Sequence, residues 1–169
     1  FCLPSLAVVD VPDVANVTPM STSDITNIST GLDYADIQSA IDAATSGDTI
    51  SLAATTFSPS GQITINKAIH LVGAGSTSTN INGGGSGYAI SVSANDVHLE
   101  GFTLNGAGSY GIKVSNSTTS VVEDFSMTDV ATDGTNRTGI DLNGVDGATL
   151  TNIAGHNTVS GFGLAIASS

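Results

Sequence analysis

The sequence predicts an all-β solenoid that is closed at its N-terminal end by one short amphipathic helix. Three observations predict it: the composition, an apolar helical stripe near the start, and a repeat of short strands behind that stripe. Of the 169 residues, 20 are glycine, 40% are hydrophobic and only 11% are charged. Such a mixture is typical of many short strands joined by tight turns, and it disfavours a helical bundle.

The predicted capping helix lies at residues 33–47. We expect Asp33 to be its N-cap, Asp36 to lie in its first turn and Gly47 to end it. A helix this short is marginal in isolation, so its apolar stripe must pack on another apolar surface. The residues of the stripe recur at helical spacing and are Ile37, Ala40, Ile41 and Ala44.

A repeat of short strands follows the helix and decides the fold. Each strand has an apolar-polar-apolar core, and from Ile90 onward the cores lie roughly 25 residues apart. One such repeat cannot bury its own apolar face, whereas stacked repeats build a continuous column with a step of about 4.8 Å. We therefore expect the first residues of the cores to stack inside, under the helix. The cores are Ile50-Ser51-Leu52, Ile63-Thr64-Ile65, Ile90-Ser91-Val92, Ile112-Lys113-Val114, Ile140-Asp141-Leu142 and Leu164-Ala165-Ile166.

A second apolar set follows the cores and suggests a metal site. Its predicted columns are Leu71, Leu99, Val122 and Leu150, then Phe102, Phe125 and Ile153. This alignment places Glu100 and Glu123 at the same position of successive repeats, with Asp124 beside the second. Stacked carboxylates repel unless a cation or water screens them, so these three residues are the candidate metal ligands, with Ca²⁺ as the ion. A solvated acidic face and a catalytic pair are the alternatives.

Three stretches resemble the beginning of right-handed parallel β-helix proteins, the pectate-lyase-like repeat proteins: DIQSAIDAATSGDTISLAATTF, ITINKAIHLVGAG and INGGGSGYAISVSANDVHLEGFTLNG. The resemblance covers residues 33–169 and implies a right-handed parallel β-helix whose rungs are residues 48–169. Such proteins are common on cell surfaces and among secreted proteins. The fold hosts lyases, hydrolases, epimerases, adhesins and fibres, so it does not define an activity.

Residues 1–32 are expected to form an extended N-terminal arm. This segment is either loosely packed or adds as a strand to an exposed edge of this molecule or of a neighbour. Its cysteine, Cys2, is the one cysteine of the chain, so it is either free or paired with another chain. The abundance of Ser, Thr and Asn and the shortage of Lys suggest an exported protein.

The groups that carbohydrate-active β-helix enzymes require do not converge in the predicted columns. Lyases that act on uronic acids abstract a proton with Arg or Lys, and hydrolases need carboxylates roughly 5–9.5 Å apart. Arg137 is expected in a turn, and Lys113 is expected beside Asp141 on the outer surface. No shared column is expected for the three histidines, His70, His98 and His156. The sequence therefore favours a non-catalytic protein and leaves an enzyme open.

Charge and composition restrict the partners. The net charge is −12 with three strong bases, so nucleic acid, acidic glycans and anionic lipid are poor partners. No apolar run reaches the roughly 18 residues of a membrane span. A carbohydrate ligand stays open. Glycosylation is a further possibility, because four Asn-x-Ser/Thr acceptors lie in predicted arms or turns: Asn16, Asn27, Asn116 and Asn136.

Two function hypotheses follow. In the first, the chain is an extracellular structural module that stacks head to tail with copies of itself into a surface layer, stalk or filament, because the last core opens a new rung and no cap follows it. In the second, it is the N-terminal part of a polysaccharide lyase or hydrolase whose catalytic rungs lie beyond Ser169. Binding to ice or a crystalline glycan is disfavoured, because the column that starts at Thr64 continues with Ser91, Lys113 and Asp141.

Overall fold

The chain forms a parallel β-solenoid of about four turns with one short helix at its first end. The computed structural model describes residues 23–83, 87–106, 110–115, 121–135, 137–156 and 161–167. Within these ranges the elements are β1 Ile25–Asn27, β2 Leu32–Asp33, α1 Ile37–Ala43, β3 Thr49–Leu52, β4 Thr56–Phe57, β5 Ile63–Ile65, β6 His70–Gly73, β7 Asn80–Asn82, β8 Tyr88–Val92, β9 His98–Asn105, β10 Tyr110–Val114, β11 Val122–Glu123, β12 Ser126–Asp133, β13 Ile140–Asn143, β14 Val145–Asp146, β15 Thr149–His156 and β16 Leu164–Ala167.

Two sheets run along the solenoid. Sheet A has the order β15-β12-β9-β6-β3-β1-β2, with β4 and β7 joined at its side, and sheet B has the order β16-β13-β10-β8-β5. A short third pair, β11 and β14, lies between them in sequence. All neighbours from β3 onward are parallel, as successive turns of a solenoid must be. The predicted fold class is thus confirmed.

The predicted column of sheet B is also confirmed. The register partners along it are Ile63, Ile90, Ile112, Ile140 and Leu164. Residues of this column are buried up to Ile140, whereas Leu164 is 42% exposed because it lies on the last strand that the structure describes. The outward column of Thr64, Ser91, Lys113 and Asp141 is likewise confirmed, so a regular threonine array is not built.

The columns of sheet A differ from the prediction at β12. Met127, not Val122, stacks on Leu99, and Val130, not Phe125, stacks on Phe102. The reason is the extra short strand β11, which precedes the long strand β12 and pairs with β14. Phe125 is still fully buried, but it lies in the corner before β12.

The helix covers the first end of the column through a buried stripe of Ile37, Ala40 and Ile41. Its N-cap is Asp36, whose Oδ1 accepts a hydrogen bond from the Ser39 backbone N–H at 2.8 Å. The prediction that Asp33 caps the helix is wrong, because Asp33 lies in β2 and pairs with Thr26. The predicted end at Gly47 is also wrong, because the helix ends at Ala43 with Ala44 as its C-cap. Asp33 and Asp36 both precede the apolar stripe, but Asp33 belongs to the hairpin β1–β2 and Asp36 to the helix.

Asp36→Ala is expected to lower the free energy of unfolding by about 1 kcal/mol, because the helix loses its N-cap acceptor. Hydrogen bonds from the Ser39 hydroxyl and backbone lower the pKa of Asp36 below its ordinary value. The stabilisation is therefore present above the ordinary aspartate pKa and is lost as pH falls through the lowered folded-state pKa. Urea unfolding at neutral and acidic pH measures both effects, with the exposed Asp24→Ala as the control. An equal loss at every pH would contradict the capping role.

Two side chains seal the first end further. The Gln38 amide bonds the edge of β5 twice, since its Oε1 accepts from the Thr64 N–H at 2.7 Å and its Nε2 donates to the Thr64 carbonyl at 3.2 Å. Lys67 Nζ donates to the carbonyls of Asp42 and Ala44, which end the helix. These groups satisfy backbone atoms that a strand edge or helix end otherwise leaves unpaired.

The hairpin β1–β2 extends sheet A at this end. β1 is antiparallel to both β2 and β3. Residues 25–33 therefore belong to the sheet, so the predicted arm boundary at residue 32 cuts through the hairpin. The rest of the predicted arm, residues 1–22 with Cys2 and Asn16, lies outside the described residues.

A buried carboxylate anchors this hairpin to the solenoid. Asp48 accepts hydrogen bonds from Asn27 Nδ2 at 2.8 Å and from the Thr45 N–H at 2.9 Å. The Asn27 bond is the largest cause of the lowered pKa of Asp48, followed by the Thr45 backbone bond. The contribution of the ionised group is therefore complete above the ordinary aspartate pKa and decreases as pH falls through the lowered one.

Asp48→Asn is expected to flatten the loss of thermal stability in acid. The wild-type melting temperature should drop between pH 6 and pH 3 by more than that of the variant, because the variant has no carboxylate to protonate. Melting curves at the two pH values measure this difference, with Asp24→Asn as the matched control. Identical acid shifts in wild type and Asp48→Asn would refute it.

Candidate functional site

At the last described turn of the solenoid, three strands have no further strand on their outer side among the described residues. Within the described ranges, β15 pairs with β12, β16 with β13, and β14 with β11, and each is the final strand of its order. A row of backbone N–H and C=O groups along such an edge is a template for another strand. We call this surface the open end.

Apolar side chains are exposed at the open end. Leu164 and Ile166 are the register partners of Ile140 and Leu142, so they point along the same inner column. The lower pair is at most 1% exposed, whereas Leu164 is 42% and Ile166 is 70% exposed. Phe162, just before β16, is also 70% exposed. Among the described residues, the open end thus presents a strand edge together with exposed apolar side chains that continue the inner column.

The opposite end, which we call the closed end, is chemically different. Its column is covered by α1 and the edge of β5 is bonded to Gln38. Two large apolar side chains are nonetheless exposed there, Ile28 at 59% and Leu32 at 57%, both in or beside the hairpin β1–β2. The two ends are therefore non-identical surfaces that each carry exposed apolar groups.

The structure corrects the alignment behind the predicted metal site. Glu100 pairs in register with Thr128 and not with Glu123. Glu123 instead pairs with Asp146, and Asn95 bonds it through both its backbone N–H and its carboxylate. Two carboxylates of neighbouring turns do stack, but Glu100 is not one of them.

The other two predicted ligands, Glu123 and Asp124, line a shallow cavity at the corner that follows β11. Glu123, Asp124, Asp146 and Gly147 surround about 170 Å³. Asp124 has a left-handed backbone with φ 52°, which turns the chain at this corner. Across the described part of the chain, no group of three or more His, Cys, Asp or Glu side chains is close enough to hold a metal ion. The calcium site thus stays a prediction, but the column of Glu100 and Glu123 on which it depends is not formed.

A further carboxylate, Asp129, has a structural role. Its backbone is also left-handed, and its oxygens accept from the Ser76 N–H at 2.9 Å, the Ser76 hydroxyl at 2.8 Å and Asn152 Nδ2 at 2.7 Å. These bonds, those of Ser76 first, lower the pKa of Asp129. The residue joins side chains from three turns of the solenoid.

The predicted glycan acceptors divide into two groups. Asn27 is 1% exposed and its Nδ2, the atom a glycan would occupy, donates to Asp48. The prediction that it lies on a projecting segment is therefore wrong, because Asn27 is the last residue of β1 and faces inward. Asn16, Asn116 and Asn136 lie outside the described residues.

Two histidines that were not expected to share a column are register partners. The rings of His70 and His98 pack edge to face with centroids 4.2 Å apart. Burial, followed by the neighbouring His98, lowers the pKa of His70. The sequence does carry a signal for this pair, since each histidine immediately precedes an aligned leucine, Leu71 or Leu99.

A hydrogen bond joins His98 Nδ1 to the Ser126 hydroxyl on the next turn. Nucleophilic catalysis by serine requires a base that is oriented in turn by a third group. The ring that packs against His98 is another imidazole, His70, and not a carboxylate. The base in this arrangement, His98, is therefore packed against a second base instead of a carboxylate.

Two of the strong bases pack on aromatic rings of sheet B. Tyr88 and Tyr110 are stacked with centroids 4.6 Å apart. Lys113 Nζ lies 4.8 Å from the Tyr88 centroid, and Arg137 donates to the Tyr110 hydroxyl at 2.9 Å. Both tyrosines lie two residues before a strand core, a spacing that is visible in the sequence. The bases that a lyase would require thus contact tyrosines.

The fold defines the class of protein, a parallel β-solenoid of about four turns with one short helix. The sequence matches no protein-family model, and comparisons with curated proteins and with solved structures give no match. In the part of the chain that the structure describes, no helix is long and apolar enough to cross a membrane.

Proposed function

We propose that this protein is an extracellular structural β-solenoid that assembles end to end with copies of itself into a filament, stalk or surface layer. The observation that carries the proposal is the pair Leu164 and Ile166, which is exposed although its register partners are buried. The composition, poor in lysine and rich in Ser, Thr and Asn, supports an extracellular setting. We assign the chain to the right-handed, pectate-lyase-like β-helices on its opening stretches.

Energetics favour contact at the open end. Burying one large apolar side chain stabilises an association by about 1.5–3 kcal/mol, and three such side chains are exposed there: Phe162, Leu164 and Ile166. The free strand edge adds backbone hydrogen bonds to any strand that covers it.

The geometry favours open-ended growth. The open and closed ends are different surfaces, so contact between them is heterologous, and a heterologous contact that does not close into a ring continues as a filament. The enzyme hypothesis has less support, because Lys113 and Arg137 contact tyrosines.

Electron microscopy and light scattering of the 169-residue chain test the proposal. We expect elongated particles whose length grows with protein concentration, built from subunits of 16.8 kDa. Ile166→Asp should abolish them, because a charge then occupies the apolar contact. Ala167→Asp is the matched control, since Ala167 is exposed and points to the other side of the same strand.

Two results would overturn the proposal. One is a monodisperse monomer at every concentration. The other is native material whose subunit mass is far above 16.8 kDa, since further rungs of the same chain would then cover β16. Melting curves of both variants keep the test independent of folding, because Ile166 is already 70% exposed in the single copy.

A further inference from the structure

We infer that residues 9–11 of a second copy supply the strand that pairs with β16 at the open end. This inference rests on the proposed end-to-end assembly and names its joint. The occupant is a segment of this chain, Val9-Asp10-Val11. The surface that receives it is the edge of β16 with the side chains of Leu164 and Ile166.

The pattern of the segment matches the strands of sheet B. Each of those strands has one outward residue between two inward apolar residues. In Ile140-Asp141-Leu142, for example, Ile140 and Leu142 are buried and Asp141 is the outward residue. Val9-Asp10-Val11 has this pattern, and it places Asp10 outside above Ala165. Pro12 follows at once and ends the strand, because proline has no N–H for the ladder. Strands of sheet B need only three to five residues.

The closed end explains why a separate strand is needed. The N–H and the carbonyl of Thr64, at the centre of β5, are both bonded to the Gln38 side chain. Sheet B of one copy therefore cannot continue by pairing its β5 directly with β16 of the next copy. A strand from outside the solenoid body can pair with β16 without disturbing Gln38.

The exposed apolar groups favour a second copy over the chain's own segment. Residues 12–22 extend at most about 36 Å, which is long enough for either route. The segment starts from Ser23 at the closed end, so pairing between copies brings the closed end of one to the open end of the other. Ile28 and Leu32 can then be buried together with Phe162, whereas pairing within one chain leaves them exposed.

Cross-linking between cysteine variants tests the identity of the occupant. In a Cys2→Ser background, Asp10→Cys and Ala165→Cys are made in separate chains, mixed and treated with a short bis-maleimide. The central residues face each other in a parallel and in an antiparallel pairing, so the test does not depend on strand direction. Ser91→Cys mixed with Asp10→Cys is the control, because Ser91 is in the same outward column three strands away.

We expect a covalent dimer from Asp10→Cys with Ala165→Cys and at least about tenfold less from the Ser91→Cys control. A cross-linked monomer from the Asp10→Cys, Ala165→Cys double variant, with no dimer on mixing, would overturn the inference in favour of closure within one chain. Absence of both products would also overturn it, because the segment would then not reach β16.

A pair of substitutions tests which face of the segment is inward. Val9→Asp should lower the assembled fraction at least about tenfold, since it directs a charge at Leu164 and Ile166. Val8→Asp is the matched control and should stay within about twofold, because Val8 and Asp10 share the outward face. Equal effects of the two variants would refute the assignment of Val9.

The results separate this inference from the proposed function. Filaments that persist in Val9→Asp but vanish in Ile166→Asp would leave assembly standing and remove residues 9–11 as the joint. Absence of filaments from the wild-type chain would remove the proposed function and the inference together. Melting curves of both variants separate a lost contact from unfolding, and Ile166→Asp should melt at the wild-type temperature because Ile166 is 70% exposed in one copy.

Discussion

Phe102→Ala is expected to lower the free energy of unfolding by about 3–5 kcal/mol, because it removes a large ring from the centre of the column. Phe102 is fully buried on β9, where it stacks on Val130 of the next turn. A solenoid has no second core to compensate, since its turns share one continuous column of buried side chains. The loss is a large part of the 5–15 kcal/mol by which domains are usually stable.

The chain offers a matched control for this substitution. Phe162→Ala removes the same atoms from a side chain that is 70% exposed, so it should change the stability of a single copy by less than about 1 kcal/mol. Urea unfolding at concentrations where both variants are monomeric measures the difference. Equal losses would contradict the assignment of Phe102 to the core. Phe162→Ala should instead weaken the proposed assembly.

Sheet B was predictable because its strands obey a simple rule. An apolar-polar-apolar triplet has the period of a strand and identifies the inward residues, and Ile90-Ser91-Val92 and Ile112-Lys113-Val114 align without gaps. The spacing between triplets varies, but the triplets themselves fix the register. The same triplet then identifies residues 9–11 as a further strand of this kind.

Sheet A was less predictable because two residues with a left-handed backbone, one just before β12 and one within it, are not glycine. Asp124 and Asp129 both have φ 52°. An aspartate in a sequence does not indicate a left-handed backbone as clearly as a glycine does. The sequence pattern therefore does not reveal the extra strand β11, and it aligns Val122 with Leu99 at the position that Met127 occupies. That single shift produced the wrong column of Glu100 and Glu123.

The closed end shows what pattern reasoning can and cannot supply. The apolar stripe from Ile37 to Ile41 predicted the helix and its packing on the column. The bonds of Gln38 to Thr64 were not predictable, because they depend on how far α1 lies from a strand 26 residues later. The same holds for Asp48 and Asn27, which meet only after the hairpin folds onto β3.

Gly111→Ala is expected to destabilise the protein by about 3 kcal/mol, because the added methyl group has no space. A Cβ at Gly111 would overlap the carbonyl oxygen of Gly139 on the next turn and lie 3.2 Å from Thr132 Cγ2. Gly139 in turn is close to the Gly163 carbonyl, so a column of glycines lets successive turns approach. To make space for the methyl group, the backbones of the two turns would have to separate. This separation would also disturb the hydrogen bond from the Ile112 N–H to the Gly139 carbonyl.

Gly61→Ala is the matched control and should have the opposite sign. A Cβ at Gly61 meets no atom within 4 Å and its φ is not in the left-handed region, so alanine fits. Alanine also restricts the unfolded chain, which stabilises a protein by about 0.4–1 kcal/mol. Thermal melting should therefore move in opposite directions for the two variants, by about 2–4 °C per kcal/mol at this size. A Gly111→Ala protein as stable as Gly61→Ala would show that the turns are not in the close contact that the glycine column creates.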